Sequence, residues 1–205
     1  MRLVLALVAA VVAAGAAGCT GGGPVAPAAE AATAAPATES AALTSSLLAV
    51  ADLPLGFQAQ EGAGTTAALG CAGIDGVYLP GPAEHAAVSF AHSLSPAFVN
   101  ETITQRSGSA AAAAVTAFAG AAKGCARFTG PDGTAYTVAP VRLPRYGDGS
   151  AALRVTSTLA EGRPVDLAAV RVGDLVLAIA AAGSGSDGAL LQTVVERALA
   201  KLPGH

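Results

Sequence analysis

The chain has 205 residues, of which 53 are alanine and 25 are glycine, so small side chains make up more than a third of it. Its 11 basic and 14 acidic residues give a formal net charge of -3, which excludes the basic surface that binding along a nucleic acid backbone requires. The length allows one folded domain with a tail and leaves no room for a second, catalytic domain.

The first eighteen residues have the organisation of an export signal. Arg2 supplies a positive charge, and residues 3–15 form an uncharged apolar run of the length expected for the central region of a signal peptide. The run is too short to cross a bilayer, because a spanning helix needs about 20 apolar residues. The sequence therefore predicts a signal peptide over residues 1–18.

The residues after the apolar run predict how the exported chain is anchored. Residues 16–19, AAGC, resemble the lipobox of bacterial lipoproteins. The resemblance implies that the Cys19 thiol is diacylglycerylated, that cleavage occurs just before it, and that the mature chain sits on the outer face of the cell membrane. Two or three acyl chains, such as palmitate, make a durable anchor. The alternative is an ordinary cleavable signal in which Cys19 carries no lipid.

Residues 19–42 are predicted to form a disordered tether. They consist mainly of Ala, Pro, Gly and Thr and contain no aromatic residue, and a segment of this composition cannot bury enough apolar surface to fold. A flexible chain of this length spans about 25 Å. We therefore expect a single folded domain over residues 43–205.

Three helices and about five to six strands are predicted in this domain. Capping residues and apolar residues at helical spacing place helices from the caps at 44–46 to before Pro54, at 109–123 and at 187–202. Alternating polarity places strands at 86–93, 98–106, 135–143, 153–159, 165–172 and 175–182.

The order of these elements predicts the fold class. The last two strands flank Gly173 and Asp174, a two-residue turn that favours a tight hairpin. Strand 175–182 is apolar on both faces, which favours a central position. Short connections favour antiparallel pairing, so we expect an α+β domain in which an antiparallel sheet of about five to six strands is covered by two to three helices.

Two cysteines, Cys71 and Cys125, lie within the predicted domain. One remaining pair in an exported chain favours a disulfide, which in a chain-entropy account stabilises a fold with a loop of this length by about 4 kcal/mol. Two buried free thiols are the alternative. The sequence has neither a CxxC redox motif nor a cysteine cluster for zinc.

Motifs that would indicate catalysis or a cofactor fail their structural requirements. Residues 183–188 match G-x-G-x-x-G, but only 17 residues follow, too few for the returning strand of a dinucleotide-binding unit. We interpret the segment as a loop in which Ser186 or Asp187 caps the last helix. No G-x-S-x-G motif occurs. We therefore predict no catalytic residue and no cofactor.

The histidines and one basic loop are the remaining candidates for binding residues. The three histidines are His85, His92 and His205. Their spacing does not match a metal site, and His92 is expected to be hydrogen-bonded at the edge of the core. The candidate residues for an anionic ligand are Arg142, Arg145 and Tyr146. A solvated loop without a ligand is the alternative for this segment.

A family resemblance extends over most of the predicted domain. Residues 47–57, LLAVADLPLGF, resemble the opening of actinobacterial lipoprotein sensor-type domains, in which a helix runs into an Asp-Leu-Pro-x-Gly-aromatic turn. The later order is similar to the PknH-like extracellular domain family: a helix ending at Cys125, a strand meander, residues 173–177 and a closing amphipathic helix. The resemblance implies an α+β domain with a ligand-binding cleft. Family members usually carry two disulfides and a tryptophan, whereas this chain has one cysteine pair in the domain and no tryptophan.

These observations predict a non-enzymatic lipoprotein, anchored on the extracytoplasmic face of the cell membrane, whose domain binds a ligand or a protein partner of the cell envelope. A carrier of lipid or glycolipid with an apolar cavity is the first alternative. A hydrolase of envelope material with an unrecognised site is the second. Nucleic acid is not an expected partner.

Overall fold

An antiparallel sheet of eight strands forms the centre of the fold. The structure is a computed structural model that describes residues 40–61, 67–79, 81–159, 162–183 and 188–203. The strands are β1 Phe57–Ala59, β2 His85–His92, β3 Phe98–Gln105, β4 Arg127–Thr129, β5 Ala135–Pro140, β6 Gly149–Ser157, β7 Val165–Val172 and β8 Leu175–Ala182. Their order across the sheet is β1-β2-β3-β8-β7-β6-β5-β4. The predicted signal peptide, Cys19 and the tether as far as residue 39 lie outside the described residues.

Helices cover both faces of this sheet. They are α1 Ala41–Thr44, α2 Ala72–Tyr78, α3 Gly108–Gly124 and α4 Ala189–Leu199, with a 3-10 turn at Val50–Asp52. α2 and α3 pack on one face, here called the α2/α3 face. α1, the 3-10 turn and α4 pack on the other, here called the α4 face. The sheet therefore separates two apolar cores.

The predicted fold class is confirmed, but the predicted number of strands was too low. The sheet has eight strands rather than five to six, and four helices surround it rather than two to three. β1 and β4 contain three residues each, too few to show an alternation of polarity. α2 has seven residues and includes Gly73 and Gly76, and glycine disfavours a helix interior.

The predicted hairpin at residues 165–182 is confirmed. β7 and β8 pair from Val172↔Leu175 to Asp166↔Ala181, and Gly173 has a φ of 59°, as a primed two-residue turn requires at its first position. β8 lies between β3 and β7 and is buried on both faces. Its predicted central position is therefore also confirmed.

The helix predicted between residue 44 and Pro54 was wrong. α1 ends at Thr44, and the hydroxyl groups of Thr44 and Ser45 donate backwards to carbonyl groups of residues 40 and 42 instead of capping a following helix. The next residues are held by a tertiary contact, because the Leu48 N–H donates to the Glu101 carboxylate at 2.7 Å. α1 itself begins at Ala41, within the segment that was assigned to the tether.

The other boundaries differ from the predictions by a few residues. The helix predicted at 109–123 is α3, and the helix predicted at 187–202 is α4, which ends three residues earlier. β6 begins at Gly149 and ends at Ser157, so Leu159 lies beyond the strand and is 63% exposed. Ser186 and Asp187, the predicted caps, lie outside the described residues.

The predicted disulfide is confirmed. Cys71 and Cys125 are bonded, with their Cα atoms 6.0 Å apart. Cys71 immediately precedes α2, and Cys125 immediately follows α3. The bond therefore links the start of one helix to the end of the other on the α2/α3 face.

A buried carboxylate on β3 supports the N-terminal segment. Glu101 is 1% exposed and lies on the α4 face. One of its oxygens accepts the Leu48 N–H, and the other has no hydrogen-bond partner among the described atoms. Burial raises the pKa of Glu101 to about 7, although the Leu48 N–H and the positive charge of Lys201 act in the opposite direction.

This burial makes the free energy of unfolding depend on pH. In the native protein the carboxyl group stays protonated up to about pH 7, whereas the unfolded chain releases the proton near the ordinary glutamate pKa of 4.5. The associated stability is therefore full below about pH 4.5 and is lost as the pH rises to about 7, a loss of about 3 kcal/mol.

We expect the Glu101→Gln substitution to remove this pH dependence, because the amide keeps an oxygen acceptor for Leu48 and carries no ionisable proton. Urea unfolding at about pH 5 and about pH 8 should show a loss of about 2.5 kcal/mol in the wild type and a much smaller loss in the variant. Glu84→Gln, at an exposed position, is the control and should retain the wild-type pH profile. Equal pH profiles for the Glu101 variant and the wild type would contradict the prediction.

Candidate ligand-binding site

A cavity of about 320 Å³ opens on the α2/α3 face. The strands β3, β8, β7, β6 and β5 contribute to its floor, and α2 with the residues before it forms a roof. Its lining residues are Leu69, Ile74, Asp75, Tyr78, Phe98, Asn100, Tyr136, Val155, Ser157, Arg163, Val165, Leu167 and Ala180. Most of these side chains are apolar, and the few polar ones are the candidates for orienting a ligand.

The floor of the cavity follows from strand register. Ala180 of β8 lies opposite Asn100 of β3 on one side and Leu167 of β7 on the other. Residues that face each other across neighbouring strands point to the same side of a sheet. The single methyl group of Ala180 therefore leaves a depression between two larger side chains, in the middle of the sheet.

The roof is attached to the sheet by Tyr78. Its hydroxyl group donates to the Ile179 carbonyl at 2.6 Å and lies 3.1 Å from the Ala168 carbonyl. The Tyr78 ring contacts Phe118 of α3, with 6.1 Å between the ring centroids. Burial raises the pKa of Tyr78 well above its ordinary value. Tyr78 is therefore a neutral phenol that fixes α2 over β7 and β8.

A close approach between α2 and α3 fixes the roof from the other side. A Cβ atom on Gly73 would lie 2.6 Å from the Ala117 carbonyl oxygen and 3.1 Å from the Ala121 Cβ. Only glycine fits this contact without a shift of backbone. Together with the Cys71–Cys125 disulfide, the contact holds the roof in one position relative to α3.

The polar side chains in the wall differ in whether they already form hydrogen bonds within the protein. The two carboxylate oxygens of Asp75 accept the N–H groups of Leu69 and Gly70 at 2.8 and 2.9 Å. Asn100 is half-buried and Arg163 is exposed at the rim. Within the described part of the chain, neither side chain forms a hydrogen bond or an ion pair. The Ser157 hydroxyl accepts the Leu159 N–H at 3.1 Å, and the Tyr136 hydroxyl forms no hydrogen bond among the described residues. Asn100, Arg163, Ser157 and Tyr136 therefore all have donors left for a ligand, and Arg163 is the charged one.

A second cavity, of about 290 Å³, lies between the segment 141–146 and the strands β6 and β7. It brings together two of the three residues predicted to bind an anion, because Arg142 and Tyr146 line it. Arg145 is exposed and does not line it. The Tyr146 hydroxyl donates to the Glu196 carboxylate at 2.9 Å, and burial together with this contact raises the pKa of Tyr146 to about 12. Binding of an anion by this loop stays a prediction.

His92 is held in place by contacts within the fold. His92 is half-buried, accepts the Leu94 N–H at Nδ1 at 3.2 Å, and meets the Phe57 ring edge-on at 5.3 Å. The predicted hydrogen-bonded histidine at the core edge is therefore confirmed. His205 lies outside the described residues. Among the described residues, no group of three or more His, Cys, Asp or Glu side chains is placed to hold a metal ion.

The family resemblance implies a cleft, but the position and the lining residues of the larger cavity were not predicted from the sequence. Its roof is α2, which the sequence pattern did not reveal, and its rim residue Arg163 lies in a connection between strands. The signal in the sequence was the amide side chain of Asn100, at a position of β3 that faces the α2/α3 core. A polar residue at such a position indicates a hydrogen-bonding partner that is not part of the strand.

Comparison with solved structures shows a likeness in fold. The chain is similar in structure to the extracellular domain of PknH from Mycobacterium tuberculosis, with a TM-score of 0.59, 16% sequence identity, and coverage of 76% of this chain and 92% of that chain. The two chains share a fold. No protein-family model and no curated protein sequence matches the chain. None of the helices in the described residues has the length and apolar character needed to cross a membrane.

The helix contact at Gly73 yields a prediction about stability. Gly73→Ala should lower the free energy of unfolding by about 1–3 kcal/mol, because the new methyl group meets a backbone carbonyl that cannot rotate away. Gly120→Ala is the control, because a Cβ atom at this position of α3 would have nothing within 4 Å, and it should raise the free energy of unfolding by about 0.5–1 kcal/mol. Urea denaturation of the three proteins measures both changes, and equal effects of the two substitutions would refute the steric argument.

Proposed function

We propose that this protein is a membrane-anchored lipoprotein on the extracytoplasmic face of the cell membrane, and that its domain binds a small ligand without transforming it. The observation that carries the proposal is the cavity of about 320 Å³ on the α2/α3 face. A largely apolar wall with a few polar groups is the usual composition of a small-molecule site.

The surroundings of the titratable groups in the cavity support a binding role over a catalytic one. Proton transfer to a ligand needs an acid or base with a free proton or lone pair aimed at it. Both oxygens of Asp75 already accept backbone N–H groups. The Tyr78 hydroxyl already donates to a backbone carbonyl. Neither group is positioned as a general acid or base, which disfavours the hydrolase alternative.

The size of the cavity favours a small ligand over a membrane lipid. Sites for drug-sized molecules measure roughly 300–1,000 Å³, and this cavity of about 320 Å³ lies at the lower end. A carrier of a lipid with two long acyl chains needs a larger enclosed volume. The cavity therefore supports a sensor-like binding domain more than a lipid carrier.

The proposed location rests on the N-terminal sequence and agrees with the disulfide. The signal-like segment 1–18 and the lipobox-like Cys19 are features of exported, acylated chains. Disulfides persist in oxidising compartments outside the cytosol, and the Cys71–Cys125 bond fits such a compartment. The fold shared with an extracellular domain is in keeping with the same location.

The anchor is tested by labelling the full-length chain with radioactive palmitate in a bacterial host. The wild type should incorporate label and partition into the detergent phase on phase separation, because its acyl chains add apolar surface. Cys19→Ser should do neither. Thr20→Ser, at the neighbouring position, is the control and should behave like the wild type. Label in the Cys19 variant, or unchanged partitioning, would refute acylation at this residue.

The cavity is tested with naphthalene-2-carboxamide, a neutral probe with one apolar ring system, by isothermal titration calorimetry. The full-length wild type in detergent should bind it, and Ala180→Leu should weaken binding by tenfold or more, since the larger side chain fills the floor of the cavity. Ala139→Leu makes the same change at an exposed strand position and should bind like the wild type. Absence of binding to the wild type, or equal binding by all three proteins, would overturn the proposed site.

A further inference from the structure

The polar groups of the α2/α3 cavity indicate the charge of its ligand. Asn100 lies on β3, opposite Ala180, with its amide in a largely apolar wall. The amide is half-buried and forms no hydrogen bond in the part of the chain that the structure describes. Its two N–H donors and its oxygen acceptor are therefore open to a ligand in the cavity.

Arg163 is the second donor that faces this cavity. It lies just before β7, at the rim. Other arginines of the domain pair with acids where one is close: the Arg154 guanidinium forms two hydrogen bonds, of 2.6 and 2.7 Å, with the Asp166 carboxylate. Arg163 has no such carboxylate among the described residues. Its planar guanidinium is suited to a ligand with two parallel acceptor oxygens.

Asp75, the acidic residue in the same wall, does not cancel the preference of Arg163 for a ligand with acceptor oxygens. Asp75 lines the cavity, but each of its oxygens accepts a backbone N–H, from Leu69 and from Gly70. These donors hold both oxygens of the carboxylate towards the backbone of residues 69 and 70. Arg163 is therefore the charged group in the wall that forms no hydrogen bond among the described residues.

The remainder of the wall favours a ring over a flexible chain. Three aromatic residues, Tyr78, Phe98 and Tyr136, line the cavity. Tyr136 is backed by Phe128, whose ring stacks on it at 5.2 Å between centroids, so its orientation is fixed. Aromatic side chains gain most from contact with another ring, in offset or edge-on geometry.

We propose that the ligand is a small aromatic carboxylate, with its ring against the aromatic wall and its carboxylate bound by Arg163 and the Asn100 amide. This inference rests on the proposed function and specifies the ligand class of the same cavity. A single positive group suits a monoanion, and the volume of about 320 Å³ suits a molecule with one or two rings.

The test compares two probes of nearly the same shape, naphthalene-2-carboxylate and naphthalene-2-carboxamide, by isothermal titration calorimetry on the full-length protein in detergent. We expect the wild type to bind the carboxylate about tenfold more tightly than the amide, as a charge-assisted bidentate contact predicts. Arg163→Gln should abolish this difference while leaving affinity for the amide unchanged. Arg145→Gln removes an exposed arginine that lines neither cavity, and it should keep the difference.

The possible results separate this inference from the proposed function. If the wild type binds the amide as tightly as the carboxylate, or more tightly, the ligand class is wrong and the cavity still binds a ligand. If Arg145→Gln removes the difference as fully as Arg163→Gln does, general surface charge explains it and the assignment to Arg163 is wrong. If neither probe binds, the proposed binding function itself fails.

Discussion

The burial of β8 on both faces is the constraint on which the rest of the structure depends. β8 lies between β3 and β7, and nearly all of its residues are buried, so helices must cover both sides of the sheet. Ile179 and Leu177 contribute to the core under α4, whereas Ala178 and Ala180 contribute to the core under α2 and α3. Because β8 carries large side chains on one face and small ones on the other, the helices on the two faces can pack at different distances from the sheet.

The small side chains on the α2/α3 face explain both the anchoring of α2 and the cavity beneath it. Ala168 and Ile179 direct their side chains to the α4 face, so Tyr78 reaches their carbonyl groups from the α2/α3 face. Beside this contact, Ala180 leaves the space open. Each missing methylene forfeits about 0.8 kcal/mol of burial, so a core rich in alanine gains less from apolar contact. The disulfide and the close contact at Gly73 hold α2 where side-chain packing alone would hold it less firmly.

Local sequence patterns predicted the elements that are long and regular. The hairpin at 165–182, α3 and most of α4 follow from turn chemistry and periodicity, which depend on neighbouring residues only. The path of the segment after Thr44 could not be predicted from local patterns, because it depends on a hydrogen bond from Leu48 to a residue 53 positions away. The position of the cavity was missed for a related reason. Asn100, Arg163 and the α2 roof are far apart in sequence, and only the strand order brings them together.

β3 connects the two faces of the domain through adjacent residues. The Asn100 side chain points to the cavity, and the Glu101 side chain points the other way, to the Leu48 N–H. A polar residue in a buried strand is tolerated only where something accepts or donates to it. For Glu101 that partner is the N-terminal segment, which leads towards the predicted tether. For Asn100 no partner lies among the described residues. The same strand therefore holds the N-terminal segment through Glu101 on one face and presents the half-buried Asn100 amide, with its donors and acceptor open, to the cavity on the other face.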